Sequence, residues 1–90
     1  MNPHDRLRLQ HLADALNSAI RFVQGRERGD LDADEMLLFA LVRAVEIAGE
    51  AASQVTPETR AQLPDLPWNS MVAMRNRLVH AYFDINRDIL

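Results

Sequence analysis

The stretch DADEMLLFALVRAVEIAGEAASQ, residues 32–54, is the longest helical pattern in the chain and forms the centre of the predicted fold. Acidic residues lie in its first turn, where they complement the helix dipole. Its apolar residues form one stripe, in which the side chains become smaller toward the end of the helix. The members are Leu37, Leu38, Leu41, Ala44, Val45, Ala48, Ala51 and Ala52. We predict a buried helix from about Asp32 to Gln54. Glycine costs about 1 kcal/mol of helix propensity relative to alanine, so Gly49 indicates a close helix approach.

A second long helix is predicted before it, from about Pro3 to Gln24. Asn2 is a suitable N-cap, Pro3 suits the first helical position, and Gly25 suits the residue after the helix. Its apolar positions recur at three- and four-residue spacing: Leu9, Leu12, Leu16, Ala19, Ile20 and Val23. This spacing predicts one buried face. The polar residues from Gly25 to Asp30 form a turn between the two long helices.

The C-terminal third contains shorter helical patterns. Thr56 is a suitable N-cap for a short helix that begins at Pro57 and ends before Pro64. A further helix is expected from Pro67 or Trp68 to about Tyr82, with Trp68 as a core anchor.

Asn86 is a suitable cap for one more helix, although the sequence stops at Leu90. The prediction is therefore an all-α, small up-and-down bundle of one domain, residues 1–90, whose final helix is missing or truncated.

Length and composition restrict the possible classes of protein. Ninety residues make one small domain, which buries about 60–65% of the surface that its unfolded chain exposes. The absence of cysteine excludes disulfides, thiolate metal sites and a cysteine nucleophile. A domain of this size needs a partner subunit or unusually good packing, so we expect a homodimer. No apolar run is as long as a membrane span, and the N-terminus lacks the apolar core of a signal peptide, which predicts a cytoplasmic protein without membrane contact.

The charge balance argues against broad, nonspecific DNA binding. Ten basic and thirteen acidic residues give a net charge of −3. Any contact with nucleic acid is therefore expected to be local. Arg75, Arg77 and Arg87 lie close together in sequence. This local positive charge is compatible with a small anionic substrate.

The stretch MVAMRNRLVHAYFDI, residues 71–85, carries polar residues within an apolar helix pattern: Arg75, Asn76, Arg77, His80 and Tyr82. Arginine offers a planar fork of donors to phosphate oxygens, and histidine exchanges a proton near neutral pH. Such a pair suits metal-free RNA cleavage. Metal chemistry is less favoured because the histidines are scattered, and no serine lies in a nucleophile elbow.

Structural interpretations of the same residues remain open. His80 suits a helix C-terminus, where a cation is favourable. Arg75 could pair with Glu46 or Glu50 across the bundle. Tyr82 could be a half-buried aromatic residue. Arg77 is expected to be a solvated or phosphate-steering charge, and three further regions are expected at the surface: His4, His11 and the charged turn 26–34.

The segment MRNRLVHAYFDI, residues 74–85, resembles the signature of the HEPN superfamily and, within it, of the HepT-like toxin family. That pattern is arginine, four residues, histidine, one residue, tyrosine. Arg75, His80 and Tyr82 match it, and Asn76 fills the polar position after the arginine. The segments LPWNSMVAMRNRLVH and EIAGEAA are also similar, so the resemblance spans about residues 5 to 89.

The resemblance implies a helical bundle that pairs as a homodimer, with the Arg and His motifs of both subunits in one cleft. It implies a metal-independent endoribonuclease, without cofactor, in a type VII-like toxin–antitoxin module. The resemblance implies that Arg75 and His80 are the catalytic residues. The supporting residues are Asn76, Arg77, Glu46 and Glu50.

The implied partner is an MntA-like nucleotidyltransferase antitoxin that transfers AMP to Tyr82. We expect the dimer to bury the small-residue face around Gly49 and to gather the positive charge of both subunits. The alternative is a non-catalytic HEPN subunit that binds a nucleotidyltransferase or a nucleotide. Family members usually continue for another helix beyond the motif tyrosine, which this chain does not.

Overall fold

The computed structural model of the protein describes residues 1–80, with Val79 and His80 described by their backbone alone. Within this part of the chain every regular element is a helix. The helices are α1 (Pro3–Val23), α2 (Asp30–Ala33), α3 (Glu35–Ser53), α4 (Pro57–Gln62) and α5 (Trp68–His80). α3 packs against α1 on one side and α5 on another. The predicted all-α bundle is confirmed.

The first helix begins as the sequence predicts, but its buried face differs from the prediction. The Asn2 side chain caps the helix by accepting from the Asp5 amide at 2.7 Å. Leu12 and Ala15 are buried, and Ala19 packs against a neighbouring apolar cluster. By contrast, Leu16, Ile20 and Val23 are exposed. Small residues thus face α3, which allows the two helices to pack closely, and the predicted stripe was wrong in its second half.

The predicted helix from Asp32 to Gln54 is interrupted near its start. Asp34 adopts an extended conformation, with φ −123° and ψ 97°. Its carboxylate accepts from the Leu37 amide at 3.1 Å and caps α3. The preceding residues form the separate short helix α2, whose Leu31 packs against Leu37 and Leu41. The start at Asp32 was wrong because aspartate at residue 34 satisfies the free amides of a new helix.

The main apolar core lies where α1, α3 and the start of α5 meet. Its buried members are Leu12, Ala15, Ala48, Ala51, Ala52, Val55 and Trp68. The Trp68 indole donates to the Leu63 carbonyl at 3.0 Å, and the Arg60 guanidinium lies 5.5 Å from the centre of its ring. Trp68 is a core anchor, as predicted.

A buried carboxylate joins the starts of α1 and α4. Asp5 is fully buried and accepts from the Thr56 amide at 3.1 Å, from the Thr56 and Thr59 hydroxyls at 2.5 Å each, and from the Asn2 amide group at 3.1 Å. These hydrogen bonds, that of the Thr56 hydroxyl first, lower the pKa of Asp5 to about 2. Thr56 occupies the predicted N-cap position, but its hydroxyl donates to Asp5 instead of capping α4.

Gly49 is the point of close approach between α3 and α5. A methyl group at Gly49 would overlap Arg75 Cβ and would lie 2.6 Å from the Met71 carbonyl oxygen. The close helix approach predicted at this glycine is confirmed. The expectation that a second subunit buries this face was wrong, because α5 of the same chain already covers it.

Several expectations concern residues outside the described part of the chain. These are the helix end at Tyr82, the cap at Asn86 and the missing final helix. Among residues 1–80, none of the helices combines the length and the apolar character needed to cross a membrane.

Candidate active site around Arg75

α5 holds Arg75 against α3 through apolar contacts on either side of it. Leu78 is buried against Leu38 and Val42 of α3, and Met74 packs on the same cluster. One turn before Arg75, Met71 packs on the main core. Because Gly49 has no side chain, the stem of Arg75 lies directly on the α3 backbone. The Arg75 side chain is therefore fixed at its base by the packing of two helices.

The guanidinium of Arg75 is held by two side chains. Its Nη2 lies 2.7 Å from Glu50 Oε2, and its Nη1 donates to Asn76 Oδ1 at 2.8 Å. Its Nε is buried and has no hydrogen-bond partner among the described residues. The side chain as a whole is 29% exposed. Arg75 thus combines an oriented guanidinium with an unsatisfied donor, and leaving such a donor unpaired is costly.

Arg75 lines a cleft of about 400 Å³ between the helices. The residues around it are Arg8, His11, Arg43, Glu46, Ile47, Glu50, Ala51 and Arg75. Three arginines therefore face two glutamates, which leaves a surplus of positive charge. Arg43 is bound to Glu46 at 2.6 Å. A small cleft with this charge and with guanidinium donors suits an anionic group such as phosphate.

The structure brings some of the predicted residues together and separates others. Glu50 and Asn76 both contact Arg75, so Glu50 is the one of the two predicted glutamates that pairs with it. Glu46 lines the same cleft but binds Arg43. Arg77 is exposed on α5 and is not among the residues that line the cleft.

The two remaining motif residues lie at or beyond the end of the described chain. His80 is the last residue of α5, where the helical backbone is described without its side chain, and Tyr82 lies outside the described residues. Among the described side chains, no group of three or more His, Asp or Glu could hold a metal ion.

Three cleft residues were not predicted from the sequence: Arg8, His11 and Arg43. Arg8 and His11 lie three residues apart on α1, and Arg8 precedes buried Leu12 by four, so it continues the line of the buried stripe. A positively charged residue at the same helical spacing as the buried apolar residues was the signal that could have indicated Arg8 as a cleft residue. Arg43 carried no comparable signal, because its side chain is 69% exposed and resembles that of any arginine on a helix surface.

The chain is similar to proteins of one known family. The model of the family described as "Ribonuclease HepT-like" matches residues 12–90. A protein of Methanocaldococcus jannaschii named "Putative RNase MJ1380" is 33% identical over 82 residues, which cover 91% of this chain and 75% of that protein. "Probable ribonuclease HepT" of Thermococcus cleftensis is also 33% identical, over 91% of this chain and 74% of its own. No solved structure gives a significant match.

These matches cover the helices that carry the cleft. The family match includes α3 and α5, which carry Glu50 and Arg75, and it continues through the end of the chain. Each of the two relatives is identical to this chain at 33% of 82 aligned residues, which cover 91% of this chain. The chain belongs to the HepT-like ribonuclease family.

Proposed function

We propose that the protein is a metal-independent endoribonuclease in which Arg75 and His80 are the catalytic residues. The observation that carries this proposal is the Arg75 guanidinium, which Glu50 orients at a positively charged cleft while its Nε has no partner within the described chain. Family membership agrees with it.

The proposed reaction needs only a phosphate-binding cation and a proton acceptor. Arg75 donates hydrogen bonds to the non-bridging oxygens of the scissile phosphate and stabilises the charge that develops there. His80 takes the proton from the ribose 2′-hydroxyl, and the 2′ oxygen bonds to phosphorus as the bond to the 5′ oxygen breaks. The leaving oxygen takes up a proton. The products are a 2′,3′-cyclic phosphate and a 5′-hydroxyl.

Glu50 and Asn76 have supporting roles in this proposal. Their contacts with Nη2 and Nη1 restrict the rotation of the Arg75 guanidinium. Glu46 acts more remotely, since it holds Arg43 at the edge of the cleft. Arg77, exposed on the same helix, adds positive charge that attracts RNA.

The proposed active form is a homodimer whose two Arg75–His80 sets share one cleft. An exposed apolar side chain supports an association, since Met36 is 84% exposed. Light scattering coupled to size exclusion would give twice the mass of the chain. A monomer that cleaves RNA at the same rate at every concentration would contradict the shared cleft.

We further propose a type VII-like toxin–antitoxin module in the cytoplasm, with an MntA-like nucleotidyltransferase as the antitoxin. The antitoxin would transfer AMP from ATP to the Tyr82 hydroxyl and release pyrophosphate. An added anionic nucleotide close to Arg75 would repel RNA, which is the physical basis of inhibition. Mass spectrometry after incubation with the nucleotidyltransferase and ATP would show AMP on the wild type and none on Tyr82→Phe.

The ribonuclease proposal is tested with purified protein and total RNA in EDTA. Wild type should generate fragments with cyclic-phosphate ends, and His80→Ala should generate none while retaining its circular dichroism spectrum. If folded wild type and His80→Ala both leave the RNA intact, the non-catalytic alternative, a subunit that binds a nucleotidyltransferase or nucleotide, replaces this proposal.

A further inference from the structure

The cleft beside Arg75 continues into a second, apolar cavity. This cavity has a volume of about 440 Å³ and shares His11, Arg43 and Ile47 with the first. Its additional lining residues are mostly small or apolar: Asp14, Ala15, Ser18, Phe22, Ala40 and Ala44. The two cavities therefore form one groove between α1 and α3, with a cationic half near Arg75 and an apolar half near Phe22.

Arg8 differs from the other two arginines in the cationic half. Arg43 is paired with Glu46 at 2.6 Å and Arg75 with Glu50 at 2.7 Å. Among the described residues no carboxylate pairs with Arg8, and its Nε is buried without a hydrogen-bond partner. Within residues 1–80, the uncompensated positive charge of the cleft therefore belongs to Arg8, which is placed to bind an anion.

The apolar half offers a surface for a flat, uncharged group. Phe22 is 37% exposed there, and Ala15 and Ala44 leave space beside its ring. The carboxylate of Asp14 accepts from the Gln10 side chain at 2.9 Å. Nucleic-acid bases stack on exposed aromatic rings of this kind in single-strand binding proteins.

We propose that the groove is a binding site for a single RNA strand, in which Arg8 binds a phosphate adjacent to the one held by Arg75 and a base packs against Phe22. A helix rises 1.5 Å per residue, so the distance along α1 from Arg8 to Phe22 is about 21 Å, which is long enough for a few nucleotides. A single strand fits the groove because its bases are free to leave the stack. This inference rests on the proposed ribonuclease function and adds its substrate contacts.

The first test measures RNA binding with a charge-neutralised Arg8 and a matched control. Arg8→Gln and Arg6→Gln remove the same charge from α1, and Arg6 is exposed two residues away, outside both cavities. Binding of a fluorescein-labelled single-stranded RNA is titrated in the His80→Ala background, so that the RNA is not cut. We expect Arg8→Gln to raise Kd about tenfold through loss of one charge-assisted contact, and Arg6→Gln to change it little.

Salt dependence separates a phosphate contact from a general effect of charge. For a single strand, each neutralised phosphate contributes about 0.7 to the slope of log Kd against log salt concentration. Arg8→Gln should lower the slope by about this amount, Arg8→Lys should retain it, and Arg6→Gln should leave it unchanged. If Arg8→Gln does not fold by circular dichroism, Arg8→Met, which also lacks the charge and retains an unbranched apolar stem, serves as the second variant.

The apolar half is tested with a second matched pair. Phe22→Ala should raise Kd for the RNA about tenfold through loss of base stacking. Ile20→Ala removes an apolar side chain that is 61% exposed and lies outside both cavities, and Kd should be unchanged. Neither Phe22→Ala nor Ile20→Ala should alter the slope of log Kd against log salt concentration.

The outcomes for the groove and for the proposed function are distinguishable. If wild type cleaves RNA but Arg8→Gln and Phe22→Ala bind it as wild type does, the groove proposal is overturned and the ribonuclease stands. If wild type does not cleave RNA but binding depends on Arg8 and Phe22, the groove stands and the ribonuclease proposal is overturned. Absence of RNA binding by every folded variant overturns the groove proposal irrespective of cleavage.

Discussion

Two polar clusters lie in this small bundle, one around Asp5 and one around Arg75, and they differ in how completely their hydrogen bonds are satisfied. Asp5 is fully buried and its carboxylate accepts four hydrogen bonds. Arg75 is partly exposed, lines a cleft, and retains a buried donor without a partner in the described chain. The first arrangement is typical of a structural contact and the second of a binding site. Substitutions at the two clusters should therefore have different consequences for stability and for cleavage.

The largest expected effect is the loss of RNA cleavage in Arg75→Ala. Removal of a donor that stabilises charge in a transition state costs about 100- to 1,000-fold in rate. Arg77→Ala, two residues away on the same helix and exposed, should reduce cleavage only a few fold, and only at low salt. Initial rates with a labelled RNA in EDTA measure both. Equal losses in the two variants would indicate a general effect of charge.

Gly49→Ala should disturb both the packing and the site. The new methyl group would overlap Arg75 Cβ and the Met71 carbonyl, and a backbone atom cannot rotate away. We expect a loss of about 2 kcal/mol in the free energy of unfolding, together with slower cleavage. Gly29→Ala is the control, because nothing lies within 4 Å of that position and its φ is −64°. Unfolding in urea distinguishes the two.

Asp5→Asn should affect folding and spare catalysis. Asparagine cannot accept hydrogen bonds at both positions of the carboxylate, so the links to Thr56 and Thr59 weaken. The melting temperature should fall by several degrees, while cleavage per folded molecule stays at the wild-type rate. Asp65→Asn, at an exposed position, should leave both unchanged. A cleavage defect in folded Asp5→Asn would contradict the separation of the two clusters.

The same carboxylate predicts how stability depends on pH. The pKa of Asp5 is lowered from 3.8 to about 2 by its hydrogen bonds, so folding favours the ionised form. The contribution of Asp5 to stability is complete above its pKa in the unfolded chain. It is lost as the pH falls through its pKa in the folded protein. The difference in stability between wild type and Asp5→Asn should therefore shrink from about pH 5 to about pH 2. A difference that stays constant over this range would contradict the assigned pKa.

The smallest effect is expected for Glu50→Gln. Its pair with Arg75 is short, but the Glu50 side chain is 45% exposed, and pairs of that kind contribute little. Because glutamine still accepts a hydrogen bond, cleavage should fall only about two- to fivefold, in kcat more than in KM. Glu58→Gln, exposed on α4, should have no effect. A loss as large as that of Arg75→Ala would assign Glu50 a direct part in the reaction.

The sequence indicated local features well, because each depended on neighbouring residues. The Asn2 cap, the close approach at Gly49 and the core position of Trp68 were all predicted and observed. The start of α3 was misplaced because two aspartates that suit a helix start, Asp32 and Asp34, lie close together, and only Asp34 caps α3 by accepting from the Leu37 amide.

Several contacts between distant parts of the chain were not predicted, although the pairing of Arg75 with Glu50 was among the stated possibilities. The hydrogen bond from Thr59 to Asp5 spans 54 residues, and no pattern within either segment indicates it. For the same reason the motif identified Arg75 as a candidate, while Arg8 and Arg43 became part of the cleft only when α1 and α3 packed together. The covering of Gly49 was assigned to a second subunit because the sequence did not show which helix approaches it.

The most direct test of the distinction between the two clusters is the free energy of unfolding of Arg75→Ala, measured by urea denaturation on the preparation used for cleavage. Alanine keeps the Cβ that lies on Gly49 and removes the partly exposed ion pair with Glu50, the hydrogen bond to Asn76 and the Nε donor that has no partner within the described chain. We predict a change of less than about 1 kcal/mol together with the loss of cleavage. A loss of several kcal/mol would show that Arg75 is a structural residue and would contradict its assignment to the active site.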